Sequence, residues 1–338
     1  MTPINYKSIL FKTLYKLGAF RIARIFSQNH LRILMYHRFG CEKGLRRLEA
    51  ALFEEQLKIL LKNFNVVSLD YLCTLLADGV QIPSNTVAIT VDDGYEDFYF
   101  FAYPLLKKYA VPATLYITTK FVEQKIWLWP DLIEYILKTT KKKDYSATLN
   151  GGTISFKLTD SEYKIKAWND IADHCLILSN SAKNIFIKEL SRDMGVTVPD
   201  KPTEEYRALS WEQIYDMQRN GIDFGSHTCT HPKLTKIETQ DELLYEIKAS
   251  KQKIQERLDA EVSSFCYPNG TKADFNDNIK NIVKNAGYKN AVAAYFDINT
   301  YDDLFELPRY AISNDMMRFN KIIYGVEFLS RQLRLSSD

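Results

Sequence analysis

Short apolar, β-branched runs alternate with amphipathic stretches along most of the chain, and this alternation restricts the fold more than any other feature. The runs with a strand pattern are Arg32–Tyr36, Asn65–Leu69, Thr86–Val91, Ala113–Thr118, Ile222–Gly225, Ser263–Tyr267 and Asn290–Ala294. Helical patterns lie between most of them, at Ala50–Asn63, Tyr95–Tyr109, Trp211–Asn220, Thr239–Leu258 and Asn276–Ala286. Such alternation predicts parallel strands joined by right-handed crossovers.

The 338 residues fit two domains or one large one, and about seven strand–helix repeats favour an α/β barrel over an open sheet. No glycine-rich phosphate-binding fingerprint follows any strand, which argues against the nucleotide-binding folds. The alternation breaks between residues 126 and 208, where a run of lysines and a Gly-Gly turn occur within an irregular, partly helical pattern. We therefore divide the chain into a basic helix (1–30), a barrel (31–125 and 209–338) and an insertion (126–208).

Composition excludes several classes of protein. Hydrophobic residues make up 46% and charged residues 25%, which is ordinary for a globular chain. The net charge of +2, from 44 basic and 42 acidic residues, argues against a nucleic-acid partner. The five cysteines are scattered without a Cys-x-x-Cys pair, so a disulfide framework is not expected and a reducing compartment fits best.

The N-terminal segment differs from the rest in charge. Residues 1–41 contain seven Lys or Arg and no Asp or Glu, so the remainder carries −5 (2 minus 7). Apolar residues recur there at helical spacing, which leaves two interpretations: a helix packed on the domain surface, or a basic amphipathic helix on an anionic membrane surface. Basic residues interrupt any apolar signal region, so we expect a cytoplasmic protein, peripheral at the inner face of the membrane in the second interpretation.

Polar side chains cluster where the predicted strands end. Asp92 and Asp93 follow one strand, and His227 and His231 follow another; Pro268-Asn269-Gly270 and His37 follow two more. In a barrel of parallel strands these ends converge on one face, where active sites form.

Each group alone has an ordinary explanation, because Asp-Gly is a common turn and a single histidine is often simply buried. Together they form a constellation of two histidines and one carboxylate with open positions for water. If their segment begins a helical turn, His227 and His231 share a face and can reach one metal. His37 is a candidate acid or base.

Two motifs resemble the polysaccharide deacetylases, the NodB-homology domain of carbohydrate esterase family four. Thr90-Val91-Asp92-Asp93-Gly94 resembles the first family motif, usually Thr-Phe-Asp-Asp-Gly, and the run from Gly225 to His231 resembles the second. The resemblance covers about Arg32–Thr119 and Leu209–Tyr310, and it implies a distorted (β/α)-barrel.

The resemblance also implies a function, the removal of N-acetyl groups from an acetylated sugar in a polysaccharide or glycan precursor. Asp92 would be the general base that activates water. Asp93, His227 and His231 would hold a divalent metal, most often zinc. Tyr267, Pro268 and Asn269 would bind the substrate, and a backbone N–H near Pro268–Asn269 would help to stabilise the oxyanion.

The sequence departs from the family pattern at two motifs. The third motif usually supplies an Arg that orients the base, but Cys266 stands in its place. The role could pass to Arg309, for which a surface salt bridge is the alternative explanation. No histidine follows His231, so the usual general acid is missing; Met35-Tyr36-His37-Arg38 resembles the early Tyr-His motif of permuted members, and we expect His37 to be the acid.

Aromatic side chains stack on sugar faces, so Trp127, Trp129 and Trp211 are candidates to line a groove, with burial in the core as the alternative. Two other functions remain open: hydrolysis of a different C–N amide bond on the same fold, and an inactive carbohydrate-binding protein.

Overall fold

The computed structural model describes residues 6–41, 46–149, 151–296 and 301–335. Its first half contains α1 (Tyr6–Lys16), α2 (Ala19–Phe26), β1 (Arg32–Tyr36), β2 (Arg38–Gly40), β3 (Arg47–Glu49), α3 (Ala50–Asn63), β4 (Asn65–Val67), α4 (Leu69–Ala77), β5 (Thr86–Val91), a π-helical turn (Phe98–Ala102), α5 (Tyr103–Tyr109), β6 (Ala113–Ile117) and α6 (Thr119–Val122). The segment 126–208 follows with α7 (Trp129–Thr139), β7 (Asp144–Leu149), β8 (Gly152–Lys157), α8 (Ser161–Ile177), α9 (Asn180–Asp193) and a 3-10 turn (Glu204–Tyr206). The last third contains α10 (Trp211–Arg219), β9 (Ile222–Ser226), a 3-10 turn (Leu234–Lys236), α11 (Gln240–Leu258), β10 (Ser264–Cys266), α12 (Asp277–Asn285), β11 (Asn290–Val292), β12 (Tyr310–Ala311), α13 (Met316–Ile323) and α14 (Val326–Leu335).

The main sheet is parallel throughout. Among the described residues seven strands follow the order β11-β10-β9-β6-β5-β1-β12, and β4 pairs with the first half of β5. The segment that leads into β12 joins the two ends of this order: Leu307 exchanges hydrogen bonds with Ala291 and Ala293 beside β11, and Tyr310 pairs with Leu34 of β1. The expected distorted barrel of about seven parallel strands is therefore confirmed.

The strands form where the sequence is apolar on both faces, as expected for parallel strands covered by helices. All six residues of β5 and all five of β1 and β6 are buried. Several helices begin at side-chain caps, for example at Ser210, whose hydroxyl accepts from the Gln213 N–H while the Gln213 side chain accepts from the Ser210 N–H.

Several predicted boundaries shift. Leu69, predicted at the end of a strand, instead begins α4, because Ser68 caps that helix. The predicted helix over 95–109 divides into the π-helical turn and α5. Helices α13 and α14 and the two-residue strand β12 were not predicted.

The segment 126–208 has a hydrophobic cluster of its own, which includes Ile133, Ile136, Ala167 and Ile171. Helices α7, α8 and α9 and the antiparallel hairpin β7–β8, with Gly151 and Gly152 at its turn, surround this cluster. This hydrophobic cluster is separate from the larger hydrophobic cluster of the barrel.

The predicted N-terminal helix is two helices, α1 and α2, separated by a left-handed Gly18 with φ 82°; residues 1–5 lie outside the described part of the chain. Across the described residues, none of the helices is both long enough and apolar enough to pass through a bilayer.

Candidate active site

A cavity of about 280 Å³ opens where the barrel strands end. The barrel contributes His37, Arg46, Asp92, Asp93, His227, His231, Tyr267, Asn269, Thr271 and Ala294. The segment 126–208 contributes the opposite wall, with Trp129, Pro130, Trp168, Ala172, Asp173 and Leu176. The structure thus brings the predicted polar groups of four strand ends into one cavity.

The two aspartates follow β5 and point in different directions because the chain turns sharply between them. The Asp92 N–H still bonds to the Tyr36 carbonyl at 3.0 Å, which continues the ladder with β1. Asp93 (φ 79°) and Gly94 (φ 92°) are both left-handed. A Cβ at residue 94 would lie 3.0 Å from the Ile117 side chain, so glycine is needed there for space as well as for conformation.

Asp93, His227 and His231 form a compact, buried trio. The Nε2 atoms of His227 and His231 each lie 3.5 Å from Asp93 Oδ1. One ligand atom from each residue lies within 4.8 Å of the other two, a spacing that one metal ion could bridge.

The hydrogen bond behind His227 fixes which nitrogen faces the trio. His227 Nδ1 lies 2.8 Å from the Cys266 carbonyl oxygen, which can only accept, so Nδ1 carries the proton. Nε2 is thereby the ring nitrogen that faces Asp93, in the arrangement typical of metal-ligating histidines. Burial, with the charge of His227 second, lowers the pKa of His231 to about 3 and keeps this ring neutral. The donor set of two nitrogens and one carboxylate oxygen suits zinc.

Asp93 stays ionised in this setting. Burial alone would raise its pKa, but the interactions with His227, His231 and His37 outweigh burial and hold the pKa well below its usual value. Cys266, Asp93 and Asp92 raise the pKa of His227 well above its usual value, against the effect of burial.

The two histidines converge by a different route from the one predicted. The segment after β9 is not helical: Thr228 (φ 66°) and His231 (φ 58°) are left-handed, and the Thr228 hydroxyl accepts from the His231 N–H. Buried Glu246 of α11 accepts from the N–H groups of Cys229 and Thr230 at 2.8 and 2.9 Å. The helical-turn expectation is therefore wrong, because a carboxylate and a left-handed turn organise the loop instead.

Arg309 holds Asp92 in a bidentate ion pair. Its Nη1 and Nη2 donate to Asp92 Oδ1 and Oδ2, each at 2.7 Å, and both side chains are almost completely buried. Burial would raise the pKa of Asp92, but the charge and hydrogen bonds of Arg309 lower it. Arg309 stands just before β12, where its Nε also donates to the Ala293 carbonyl at 2.8 Å, so the surface salt bridge is ruled out.

Cys266 fills the space beside this pair. Its Sγ lies 3.2 Å from Arg309 Nη2 and 3.5 Å from Asp92 Oδ2. Burial raises its pKa, so the thiol is neutral. A side chain longer than cysteine at this position would collide with the Arg309 guanidinium.

His37 lies on the open side of Asp92. Its Nε2 is 3.9 Å from Asp92 Oδ2, and 39% of its side chain is exposed. Desolvation lowers its pKa against the opposing charges of Asp93 and Asp92, so the ring starts neutral.

The segment after β10 adds a side-chain donor near the position where a backbone donor is expected. Pro268 has no N–H and is absent from the described lining, while the Tyr267 N–H bonds to the Val292 carbonyl at 3.3 Å. Asn269 (φ 59°) lines the cavity, and its buried Nδ2 has no hydrogen-bond partner among the described residues. The Asn269 side-chain amide is therefore an unpaired donor at the cavity, and the expected backbone N–H at this position stays a prediction.

The tryptophans divide between cavity and scaffold. Trp129 lines the cavity, as does Trp168, which was not predicted. Trp127 and Trp211 do not: the Trp127 indole donates to the Pro199 carbonyl at 2.9 Å, and Trp211 packs against the barrel core at the start of α10. The expectation that Trp127 lines a groove is corrected accordingly.

Two further residues escaped sequence analysis. Arg46 lines the cavity, and its Nη1 lies 3.2 Å from Oδ1 of fully buried Asp131 on α7. The central carbon of its guanidinium lies 4.9 Å from the centroid of the Trp168 ring. Glu246 had a detectable signal, because it is the acidic member of the buried stripe Leu243, Glu246, Ile247, Ser250 on α11.

Comparison with known proteins gives the following matches. The sequence model of the family described as polysaccharide deacetylase matches residues 79–291. The Bacillus subtilis (strain 168) protein YxkH, whose name places it among the polysaccharide deacetylases, is 35% identical over 96 residues, which cover 28% of this chain and 34% of that protein. The match therefore spans only about a third of that relative.

Solved structures share the fold. The Streptococcus pyogenes deacetylase PplD in complex with acetate is 20% identical with a TM-score of 0.56, over 85% of this chain and 93% of that one. IcaB from Ammonifex degensii is 17% identical with a TM-score of 0.57, over 88% and 97%. A de-N-acetylase from Aggregatibacter actinomycetemcomitans is 17% identical with a TM-score of 0.53, over 86% and 99%.

Proposed function

Because the chain belongs to the polysaccharide deacetylase family, we propose that it is a metal-dependent hydrolase that removes N-acetyl groups from sugar units of a glycan or glycan precursor. One observation carries the proposal: the trio of Asp93, His227 and His231 faces the same cavity as the Arg309-bound carboxylate of Asp92. A metal-binding group and a separate base, side by side, are what amide hydrolysis by activated water requires.

Asp93, His227 and His231 would hold a divalent cation, zinc by preference. When bound, this cation supplies a Lewis acid that polarises the amide carbonyl and makes water more acidic. The hydrogen bond from His227 Nδ1 to the Cys266 carbonyl fits this role, since it orients the ring and fixes the tautomer.

Asp92 accepts the proton of the attacking water in this proposal. Arg309 keeps the carboxylate ionised and fixes both of its oxygens, so that the base needs no reorientation during the reaction. Thr90 adds to this support, because its hydroxyl accepts from Arg309 at 2.9 Å and donates to the Leu34 carbonyl at 2.8 Å.

His37 delivers the proton to the leaving nitrogen. Its ring starts neutral and its Nε2 stands 3.9 Å from Asp92 Oδ2, so it can take over the proton that Asp92 has accepted and then act as the general acid. Hydrogen bonds of this kind are often long without substrate and shorten in the reacting complex. Asn269 Nδ2, buried and unpaired, is placed to donate to the developing oxyanion.

The aromatic wall from segment 126–208 suits a sugar ring. Trp129 and Trp168 present apolar rings, and Asp173 adds a carboxylate that can accept hydrogen bonds from hydroxyl groups. These residues line the same cavity as the catalytic groups, so in this proposal they position a sugar unit with its acetamido group toward Asp92.

The test combines metal analysis with acetate release. The full chain is stripped with a chelator, reloaded with Zn²⁺ and incubated with a panel of N-acetylated oligosaccharides. We expect acetate release that depends on Zn²⁺, loss of turnover with retained metal in Asp92→Asn, and loss of metal in Asp93→Asn.

Three outcomes would overturn parts of this proposal. Tight sugar binding without acetate release at full metal occupancy would indicate a carbohydrate-binding protein. Cleavage of other C–N amides alone would indicate a different hydrolase on this fold. Loss of metal in Asp92→Asn with retention in Asp93→Asn would reverse the two aspartate roles.

A further inference from the structure

The inner face of the two N-terminal helices is docked firmly on the barrel. Phe20 of α2 is buried and meets Tyr15 edge-on, with 5.3 Å between ring centroids. Phe11 and Leu14 of α1 pack against the barrel cluster. Arg24 donates to the Asn63 carbonyl at the end of α3. These contacts hold the helices as part of the folded domain, which agrees with the first interpretation of the sequence.

The outer face of the same helices is apolar and exposed. Six large side chains are between 53% and 77% exposed: Ile9, Leu10, Leu17, Ile22, Ile25 and Phe26. Those at positions 22, 25 and 26 follow the i, i+3, i+4 spacing that places residues on one stripe of a helix. Scattered exposed apolar residues are normal, but a grouped stripe of this kind marks an interaction surface.

The charge around this stripe has one sign. Lys12, Lys16 and Arg21 are exposed, and residues 6–41 contain no acidic side chain. Arg32 and Arg38 of the same segment are buried, so they belong to the protein interior and not to the surface. On the neighbouring α14, Glu327 Oε1 lies 4.0 Å from Arg331 Nη2, so its negative charge is offset by a positive one.

We propose that this outer face docks on the anionic surface of a lipid bilayer. Leu, Ile and Phe side chains enter the boundary between headgroups and acyl chains, while Lys and Arg contact anionic headgroups. Charge complementarity favours a bilayer over a second copy of the chain, since two such faces would bring basic groups against basic groups. This docking surface is independent of the catalytic proposal, because its residues lie outside the cavity.

Vesicle co-sedimentation of the full chain tests the docking surface. The vesicles contain either phosphatidylcholine alone or phosphatidylcholine with about a quarter phosphatidylglycerol. We expect binding to the anionic vesicles, with at least about tenfold weaker binding to the neutral ones and marked loss of binding at high salt.

Two variants separate the apolar and the basic contributions. The triple variant Ile22→Ser, Ile25→Ser, Phe26→Ser and the charge variant Lys12→Gln, Lys16→Gln, Arg21→Gln are each expected to weaken anionic binding by about tenfold or more. All six positions are exposed, so thermal unfolding should stay close to that of the wild type. The matched control is Ile177→Ser with Ile185→Ser, which are 56% and 60% exposed on the segment 126–208 and should bind like the wild type.

Equal binding to both vesicle types, or unchanged binding of the triple variant, would overturn the proposal. Sedimentation that shows a dimer, dissociated by the triple variant without any lipid binding, would identify the face as a contact between copies and overturn it as well. Acetate release by the triple variant, measured in parallel, keeps a failure here distinct from a failure of the catalytic proposal.

Discussion

Replacing Arg309 removes the only side chain that forms a bidentate ion pair with Asp92 among the described residues. In Arg309→Gln the Asp92 carboxylate is left buried without its counter-charge. Breaking a buried ion pair in this way typically costs about 3–5 kcal/mol of stability. Arg309→Lys keeps the charge but forms one hydrogen bond where two existed, so its cost should be nearer the 1.5–3 kcal/mol typical of one bond to a charged group.

The pH dependence of the stability difference between wild type and Arg309→Gln distinguishes a broken ion pair from a simple loss of packing. In the wild type Arg309 keeps the pKa of Asp92 below its unfolded value, so Asp92 contributes stability that is present above about pH 4 and lost as the pH falls through the native pKa. In Arg309→Gln burial, the largest cause, loses its main opponent, so we expect the pKa of Asp92 to rise above the unfolded value. Asp92 then favours folding only in acid and opposes it as the pH rises.

Urea unfolding of wild type, Arg309→Gln and Arg309→Lys at pH 4, 5.5 and 7, with chelator in every sample, measures this effect. We expect the difference in the free energy of unfolding between wild type and Arg309→Gln to increase from pH 4 to pH 7. The control is Arg207→Gln, which removes a half-exposed arginine whose Nη1 lies 3.3 Å from Glu96 Oε2. Its free energy of unfolding should fall by less than about 1 kcal/mol at every pH. A gap that is the same at all three pH values would refute the account of Asp92. Turnover should fall in the same order, by about 10²–10⁴-fold in Arg309→Gln if the base is disabled.

Four further predictions concern other parts of the molecule. His37→Gln should lower kcat by about 10²–10⁴-fold with metal content unchanged, and an unchanged kcat would remove His37 from the proton pathway. Trp168→Ala should raise KM for an oligosaccharide more than it lowers kcat, whereas an effect on kcat alone would place the ring with the reacting groups. Glu246→Gln should weaken Zn²⁺ binding by about 10–100-fold, as measured by chelator competition, since it loosens the loop that carries His231. Burial lowers the pKa of His30 to about 2, so stability should fall by up to about 1.4 kcal/mol per pH unit below pH 6.5, and His30→Phe should flatten that slope in urea titrations.

The barrel could be predicted because its signal is local. The strands β1 and β5 coincide with apolar runs whose bounds the structure reproduces, and buried parallel strands are uniformly apolar. The two-residue strand β12 carries no such pattern, since it forms only because β1 offers an unpaired edge. Arg309 was assigned by resemblance alone, and nothing in its neighbours along the chain predicts that its side chain reaches Asp92.

The site was predictable in its residues but less so in its geometry. Spacing identified His227 and His231, yet it implied a helical turn, whereas the actual turn depends on Glu246, a residue 15 positions further along the chain than His231. Two features of the site depend on tertiary packing. Asn269 Nδ2 has no hydrogen-bond partner among the described residues, and Trp168 lines the cavity. Hydrophobic periodicity tells which face of α8 is buried, but not that the helix forms a wall of the cavity.

Strand β1 links the two surfaces for which we propose a function. Helix α2 ends shortly before its first residue, Arg32, and His37 follows its last. Five residues of extended chain span about 16 Å, so with β1 directed away from the bilayer a molecule docked through its N-terminal helices would hold the cavity at a standoff of that order. Sugar units attached directly to a lipid headgroup would then lie out of reach, while units farther along a chain could enter the cavity. The direction of a single strand would thus set which part of a surface-bound glycan is modified.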